Sequence, residues 1–145
     1  MSVGIPGSGK TTVLKALSKK ASILRISPDE IREEISGSAE DQSVNHEAWE
    51  IAYSRVKEAL QANKSIVVDA THTEAYRRPG NIKMYRSYGA ESVVAVVFDT
   101  PLEIAKKRNA NRERVVPEHV LVRMHDSLRN EPPTTEEGFD KVINV

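Results

Sequence analysis

Cysteine is absent from these 145 residues, and that lack removes disulfide frameworks and thiolate metal sites together. Such a chain fits a reducing compartment, and the expected location is the cytoplasm. Long apolar runs are missing too. None approaches the roughly 20 residues that span a bilayer, and Met1 leads straight into a glycine-rich loop instead of a signal sequence. No membrane attachment is expected. Nor is there an excess of either charge, since 21 Lys and Arg balance 21 Asp and Glu to a net charge of zero. The whole-molecule field offers no bulk attraction to nucleic acid or anionic lipid, so local clusters must carry any such binding. The histidines give no metal site: His46, His119 and His125 share no ligand spacing, and His72 reads as a loop residue. No repeat or low-complexity tract is present.

The length suits one compact domain over 1–145 with one hydrophobic core. Apolar runs alternate with helical patterns along the whole chain, which predicts the α/β class, a parallel sheet with helices on its faces. Strands are predicted at Ser2 to Ile5, Ile23 to Ser27, Ser65 to Asp69, Ser92 to Asp99 and Lys141 to Val145. The longest helix is predicted over Ser43 to Ala62, where Trp49, Ala52, Val56, Ala59 and Leu60 recur on one face. Ser27-Pro28-Asp29-Glu30 and Thr100-Pro101-Leu102-Glu103 each read as a helix start with a hydroxyl cap and proline at the first helical position. Pro79-Gly80 is expected to kink or restart the helix after Thr73, and Gly89 to end it. The acidic stretch Glu131 to Asp140, with Pro132-Pro133, reads as a solvated connector.

Gly4-Ile5-Pro6-Gly7-Ser8-Gly9-Lys10-Thr11 satisfies GxxxxGK(S/T), with an apolar run before it and the helical pattern Val13, Leu14, Leu17 after it. Glycines are needed there because successive N–H groups must turn inward around phosphate oxygens at a helix N-terminus. Lys10 is expected to reach the outer phosphates and the Thr11 hydroxyl to complete Mg²⁺ coordination. The loop predicts nucleotide binding and no particular reaction.

Asp29 follows the second predicted strand, at the sheet edge where ligands of open parallel sheets bind. It suits a base that takes a proton from an attacking hydroxyl, although a first-turn acid also complements the helix dipole. Arg32, one turn on, suits bidentate grip of an acceptor phosphate or a plain ion pair. Asp69 ends the run Ile66-Val67-Val68 as a metal-holding carboxylate would, or else caps Thr71. Arg108 and Arg112 share a helix face within the basic cluster Lys106, Lys107, Arg108, Arg112 and Arg114, broken only by Glu113. They suit a lid over phosphates or a complement to the helix C-terminus.

Taken in order, GxPGSGK, Ser27 to Arg32, Val68-Asp69-Ala70-Thr71 with Arg77-Arg78, Val97 to Pro101, Lys107 to Arg112 and Val116-Pro117 leading to Met124 and Arg129 cover nearly the whole chain. This series resembles the kinase domain of the bacteriophage-type polynucleotide 5′-hydroxyl kinases. The resemblance implies a three-layer P-loop fold with about five strands in the order 2-3-1-4-5 and an arginine-bearing helical lid. It implies ATP held by Gly7, Ser8, Gly9, Lys10, Thr11, Thr12 and Arg112, and Mg²⁺ at Thr11 and Asp69. Lys10, Asp29, Arg108 and Arg112 are then catalytic, and Asp29, Arg32, Asp69, Thr71 and Arg78 line the acceptor side. The implied substrate is a nucleic acid 5′-hydroxyl end, DNA or RNA, with no obligatory protein partner. Pro79-Gly80 departs from the family's smoother helix, and no Asp-x-Asp-Gly pattern of a fused phosphatase occurs, so no 3′-phosphate trimming is expected. The alternative is a P-loop kinase for a small-molecule hydroxyl. A nucleotide switch is disfavoured because the guanine-selecting Asn-Lys-x-Asp pattern is missing.

Overall fold

A computed structural model describes residues 1–145. Five short parallel strands, β1 (Ser2–Val3), β2 (Ile23–Ile26), β3 (Ser65–Val68), β4 (Val94–Val97) and β5 (Lys141–Asn144), alternate with helices. The helices are α1 (Lys10–Lys20), α2 (Pro28–Ser36), α3 (Asn45–Gln61), α4 (Arg78–Ser87), α5 (Leu102–Ala110) and α6 (Glu118–Asn130). Two ladders form, β2 with β3 and β1 with β4 and β5. Ser2 bridges them: its fully buried hydroxyl donates to the Ala70 carbonyl (2.9 Å) and accepts from the Ala70 N–H (3.2 Å). The Gly4 N–H adds a bond to the Thr71 carbonyl at 2.9 Å. β1 thus lies between β3 and β4, consistent with the order 2-3-1-4-5, but it touches β3 through a side chain and a loop, not through a ladder.

Both sheet faces are covered. On one, Leu14 of α1 packs with Val67 and Phe98. On the other, α2, α3 and α4 bring Ile31, Ala52, Val56, Ile82 and Tyr85 against Val3, Val68 and Ala95. The α3 stripe forms largely as its periodicity predicts, with Ala48, Ala52, Val56 and Ala59 buried. In α1, of the predicted stripe Val13, Leu14 and Leu17, only Leu14 is buried, because Val13 and Leu17 turn to solvent at 43% and 40% exposure.

Two local expectations are corrected. Thr100 does not cap α5, which starts at Leu102 without a side-chain cap; its hydroxyl instead donates to the Ser8 carbonyl (3.0 Å), tying the exit of β4 to the glycine loop. Pro79-Gly80, by contrast, restarts the helix, one of the two outcomes expected: a short 3₁₀ turn over Ala75–Arg77 comes first, and Pro79 lies in the first turn of α4, where its missing N–H costs no helix bond. The acidic stretch after α6 is a staple, not a solvated connector: Phe139 is buried, Glu137 pairs with Arg78, and the Asp140 carboxylate accepts from the Val93 N–H. Ser27, by contrast, caps α2 as predicted, accepting from the Glu30 N–H. Gly89, in left-handed backbone at φ 107, ends α4.

Candidate active site

The glycine loop runs from the end of β1 into α1, with Gly7 and Gly9 in left-handed backbone at φ 81 and 92. At Gly7 space decides as well as conformation. A Cβ there would lie 2.4 Å from the Ala105 carbonyl oxygen, because α5 packs directly on the loop. Lys10 folds back over this loop, its ammonium donating to the Ile5 carbonyl at 2.8 Å and lying 3.4 Å from the Ser8 hydroxyl. Burial pushes its pKa down to about 8; the Asp69 carboxylate opposes that shift, the Arg112 guanidinium adds to it, and Asp29 opposes it more weakly. Lys10, Asp69, Arg112 and Asp29 therefore share one electrostatic neighbourhood. Thr11 and Thr12, in the first turn of α1, are exposed beside it.

Asp69 leaves the tip of β3 and is almost fully buried. Its Oδ2 accepts from Arg25 Nε (2.8 Å) and lies 2.7 Å from Arg25 Nη2, and Arg25 also reaches Glu30 at 2.7 Å. Arg25 is a residue that sequence reading missed, since an arginine inside an edge strand carries no motif. Two residues after Asp69, the Thr71 carbonyl holds Gly4 in place. His72 follows in left-handed backbone at φ 43, its Nδ1–H donating to the Ser2 carbonyl at 2.7 Å. Its Nε2 is sealed from solvent without a hydrogen-bond partner, against the edge of Trp49. Burial lowers the His72 pKa to about 4, so the ring is neutral.

Asp29, in the first turn of α2, is half exposed, and both its oxygens face cations. Arg32 Nη2 meets Oδ1, and Arg114 Nη1 lies 3.1 Å from Oδ2. Arg32 itself is buried and further committed, donating to the Ala39 carbonyl (3.0 Å) and to Asn45 Oδ1 (2.6 Å). Asn45 and Arg114 were not singled out individually by sequence reading. They come from α3 and from the loop after α5, and only the fold joins them to α2.

The α5–α6 hairpin covers the glycine loop. Arg108 Nη1 lies 3.7 Å from where a Cβ of Gly9 would stand, and Arg112 sits within electrostatic reach of Lys10. The hairpin is stapled by Asn109, which is buried and uses its amide twice: Nδ2 donates to the Val116 carbonyl (2.8 Å), and Oδ1 accepts from the Val116 N–H (3.1 Å). Lys106 adds ion pairs to Glu103 and to Glu118 at the start of α6.

Arg78 is not at this surface. Its side chain has no exposure and is spent on Glu137 (2.6 and 2.8 Å), the Glu131 carbonyl (2.8 Å) and the Thr73 carbonyl (3.3 Å). It anchors α4 to the segment after α6, behind the wall of the site. Two clefts of about 320 Å³ open nearby, neither lined by Lys10 or Asp29. One adjoins the loop at Ile5, Phe98, Asp99, Thr100, His125 and Arg129. The other lies between α2 and α3 behind Arg25.

No three His, Cys, Asp or Glu side chains converge into an all-protein metal cage. Mg²⁺ does not require one, since it keeps several waters and takes one or two carboxylates together with substrate phosphates. An exposed Thr11 hydroxyl and the Asp69 carboxylate, whose Oδ1 carries no protein hydrogen bond, fit that donor set.

A buried lysine in a glycine cradle at the carboxyl edge of a parallel sheet, under an arginine-bearing hairpin, is the arrangement of a P-loop fold, whose loop amides are built to hold phosphate. Residues 1–132 match the AAA_33 family, described as an AAA domain, and the chain belongs to that family. A curated relative, the L-seryl-tRNA(Sec) kinase of Methanococcus maripaludis, is 26% identical over 94% of this chain and 54% of its own length. Among solved structures, a chain of the Pnkp1/Rnl/Hen1 RNA repair complex superposes with a TM-score of 0.79 at 22% identity, covering 96% of this chain and 45% of that one. Shikimate kinase from Acinetobacter baumannii gives 0.57 at 20% identity, covering 99% of this chain and 81% of that one. A gluconokinase from Sinorhizobium meliloti gives 0.60 at 16%, covering 99% and 79%. At these identities the structural likenesses speak for the fold. The chain spans about half the length of the curated relative.

Proposed function

We propose that this chain is a P-loop kinase that transfers the terminal phosphoryl group of ATP to the 5′-hydroxyl end of DNA or RNA. The observation that carries the reading is the surrounding of Asp29: a half-exposed carboxylate flanked by Arg32 and Arg114, within electrostatic reach of Lys10. A hydroxyl with a phosphodiester beside it matches such a site, the alcohol meeting the acid and the phosphate meeting the Arg32 guanidinium. An uncharged sugar has no use for that arginine.

In this reading the loop amides of Gly7, Ser8 and Gly9 hold the phosphates. Lys10 exchanges the Ile5 carbonyl for phosphate oxygens, and Thr12 and Arg112 complete the grip on the nucleotide. Asp29 orients the acceptor hydroxyl and receives its proton as the oxygen attacks the γ-phosphorus and the bond to the β-phosphate oxygen breaks, releasing ADP. Arg108 and Arg112 neutralise the charge spread over the transferring group. Arg32 steadies Asp29 and the acceptor phosphate, and Thr71 shapes the floor. Arg78 supports that wall from behind. Mg²⁺, held by Thr11 and by Asp69 through water, would supply charge neutralisation at the phosphates. Positioning and electrostatics provide most of the rate.

The test is label transfer from γ-labelled ATP to DNA and RNA oligonucleotides with 5′-hydroxyl ends, beside a panel of nucleosides, sugars and seryl-tRNA. Labelled 5′ ends are expected, and Asp29→Asn should abolish them. Transfer to a nucleoside or sugar alone would move the reading to a small-molecule kinase. The seryl-tRNA arm is included because the one curated relative named above is a kinase for that substrate, and it matches 94% of this chain.

A further inference from the structure

The lid and the acceptor side meet at one contact that the phosphoryl transfer described above does not use: Arg114 Nη1 stands 3.1 Å from Asp29 Oδ2. Arg32 meets the other oxygen, so a hydroxyl approaching Oδ2 must share that oxygen with a guanidinium or displace it. Arg114 is not a loose surface residue. It lies two positions before Val116, whose N–H and carbonyl are both bound by the buried Asn109 amide, and the Lys106 to Glu118 pair (2.8 Å) closes the same hairpin from the outside. The loop that carries Arg114 is therefore built into the lid that carries Arg108 and Arg112, and its guanidinium crosses to α2. Arg114 and Asp29 are both partly exposed, at 28% and 54%, so solvent screens their attraction and an incoming donor can compete for the carboxylate.

We propose that Arg114 is a positioning residue, a latch that holds the lid against α2 through Asp29 until the acceptor hydroxyl takes its place on Oδ2. This rests on the reading of Asp29 as the acceptor-facing acid. Before the acceptor enters, the latch keeps the hairpin down over the nucleotide and keeps Asp29 from activating water. When the hydroxyl binds, it donates to Oδ2, and Arg114 is released into the cleft. Acceptor binding and lid position are then coupled by competition for a single carboxylate oxygen.

The chain's lack of cysteine makes the movement directly measurable. Spin labels on Glu33→Cys and Glu113→Cys, both at exposed positions on α2 and in the lid loop, report the separation of the two elements by electron paramagnetic resonance. With ATP analogue bound, a short and narrow distance distribution is expected. Arg114→Gln should lengthen and broaden it. A 5′-hydroxyl oligonucleotide in the otherwise unchanged protein frees Arg114 while Arg108 and Arg112 stay on the nucleotide, so it should broaden the distribution without lengthening it. In kinetics, Arg114→Gln should lower the acceptor KM, by up to about five-fold for the loss of an exposed pair, and raise ATP hydrolysis in the absence of acceptor. Arg114→Lys, which can still make one contact to Oδ2, should restore both. An unchanged distance distribution in Arg114→Gln overturns the latch. So does a raised acceptor KM, which would instead make Arg114 a grip on the acceptor phosphate. The underlying reading is tested separately: label transfer that survives Asp29→Asn removes the role of Asp29, whereas loss of transfer in Asp29→Asn with an unmoved lid in Arg114→Gln removes only the latch.

Discussion

On the proposed function, the donor and acceptor halves of this cleft are built in opposite ways. The donor half is centred on one unbroken stretch, residues 4–11, where backbone amides and one lysine left 7% exposed face the cradle, with Arg112 added from the lid. Its shape is enforced by the backbone itself, by φ 81 at Gly7 and by the Ala105 carbonyl that leaves no room for a side chain there. The acceptor half is made of side chains from α2, α3 and the lid loop, with Asp29 half exposed and joined to Arg32 and Arg114. Backbone cradles bind phosphate on any scaffold and tolerate little change. A pocket assembled from side chains can be re-aimed, which is how one fold serves kinases for sugars, shikimate and tRNA-borne groups.

That contrast is sharpened or broken by substitutions on either side. Lys10→Ala should have the largest effect, a fall in label transfer of about 10³-fold or more, since charge neutralisation at the phosphates is the main catalytic term. Nucleotide affinity should fall with it. Asp29→Asn should cut kcat by about 10² to 10⁴-fold and leave ATP binding by calorimetry unchanged, a split expected only if the two halves act independently. Arg78→Ala should act on folding rather than on chemistry. Leaving Glu137 unpaired beside an emptied core position should cost about 3–5 kcal/mol in urea denaturation, with the KM for ATP unaffected in the folded fraction.

A pH effect is expected next, and it belongs to the donor half alone. The free protein holds the Lys10 pKa at about 8 by burial, and bound phosphates raise it. Binding therefore takes up a proton above that value. ATP affinity should be flat below about pH 8 and fall about tenfold per pH unit above it, as calorimetry in buffers of different ionisation enthalpy would reveal. The same shift makes the nucleotide-free protein gain stability as pH rises from about 8 towards the ordinary lysine value, because the unfolded chain holds the proton there and the folded one does not. The smallest effect is assigned to Arg55→Ala, which breaks an exposed pair with Glu34 and should leave melting temperature and transfer unchanged.

Legibility followed the same division. The glycine loop, the Ser27 cap and the α3 stripe could be read in advance, because each is specified by neighbours within a few residues. Asp29 and Asp69 could be located by their position after strands. Their partners could not: Arg25 reaches Asp69 across paired strands, and Asn45 and Arg114 reach α2 across the fold. Arg78 shows the converse. Its position in the resemblance assigns it to the acceptor wall, yet the acidic segment after α6 folds back and buries it against Glu137. Thr100 carries a capping pattern and spends its hydroxyl on the Ser8 carbonyl, since α5 packs too close to the loop for the exit of β4 to be left untied.

Local sequence determined that this chain would make a parallel α/β sheet with a glycine-rich amide nest, because strand alternation, helix caps and the nest depend on residues adjacent in the chain. Tertiary structure alone decided which charges meet: Asp69 with Arg25, Arg78 with Glu137, and Asp29 with both Arg32 and a lid arginine. The physical reason is that an ion pair is specified by distance in space, and only the packed helices and the stapled hairpin fix that distance.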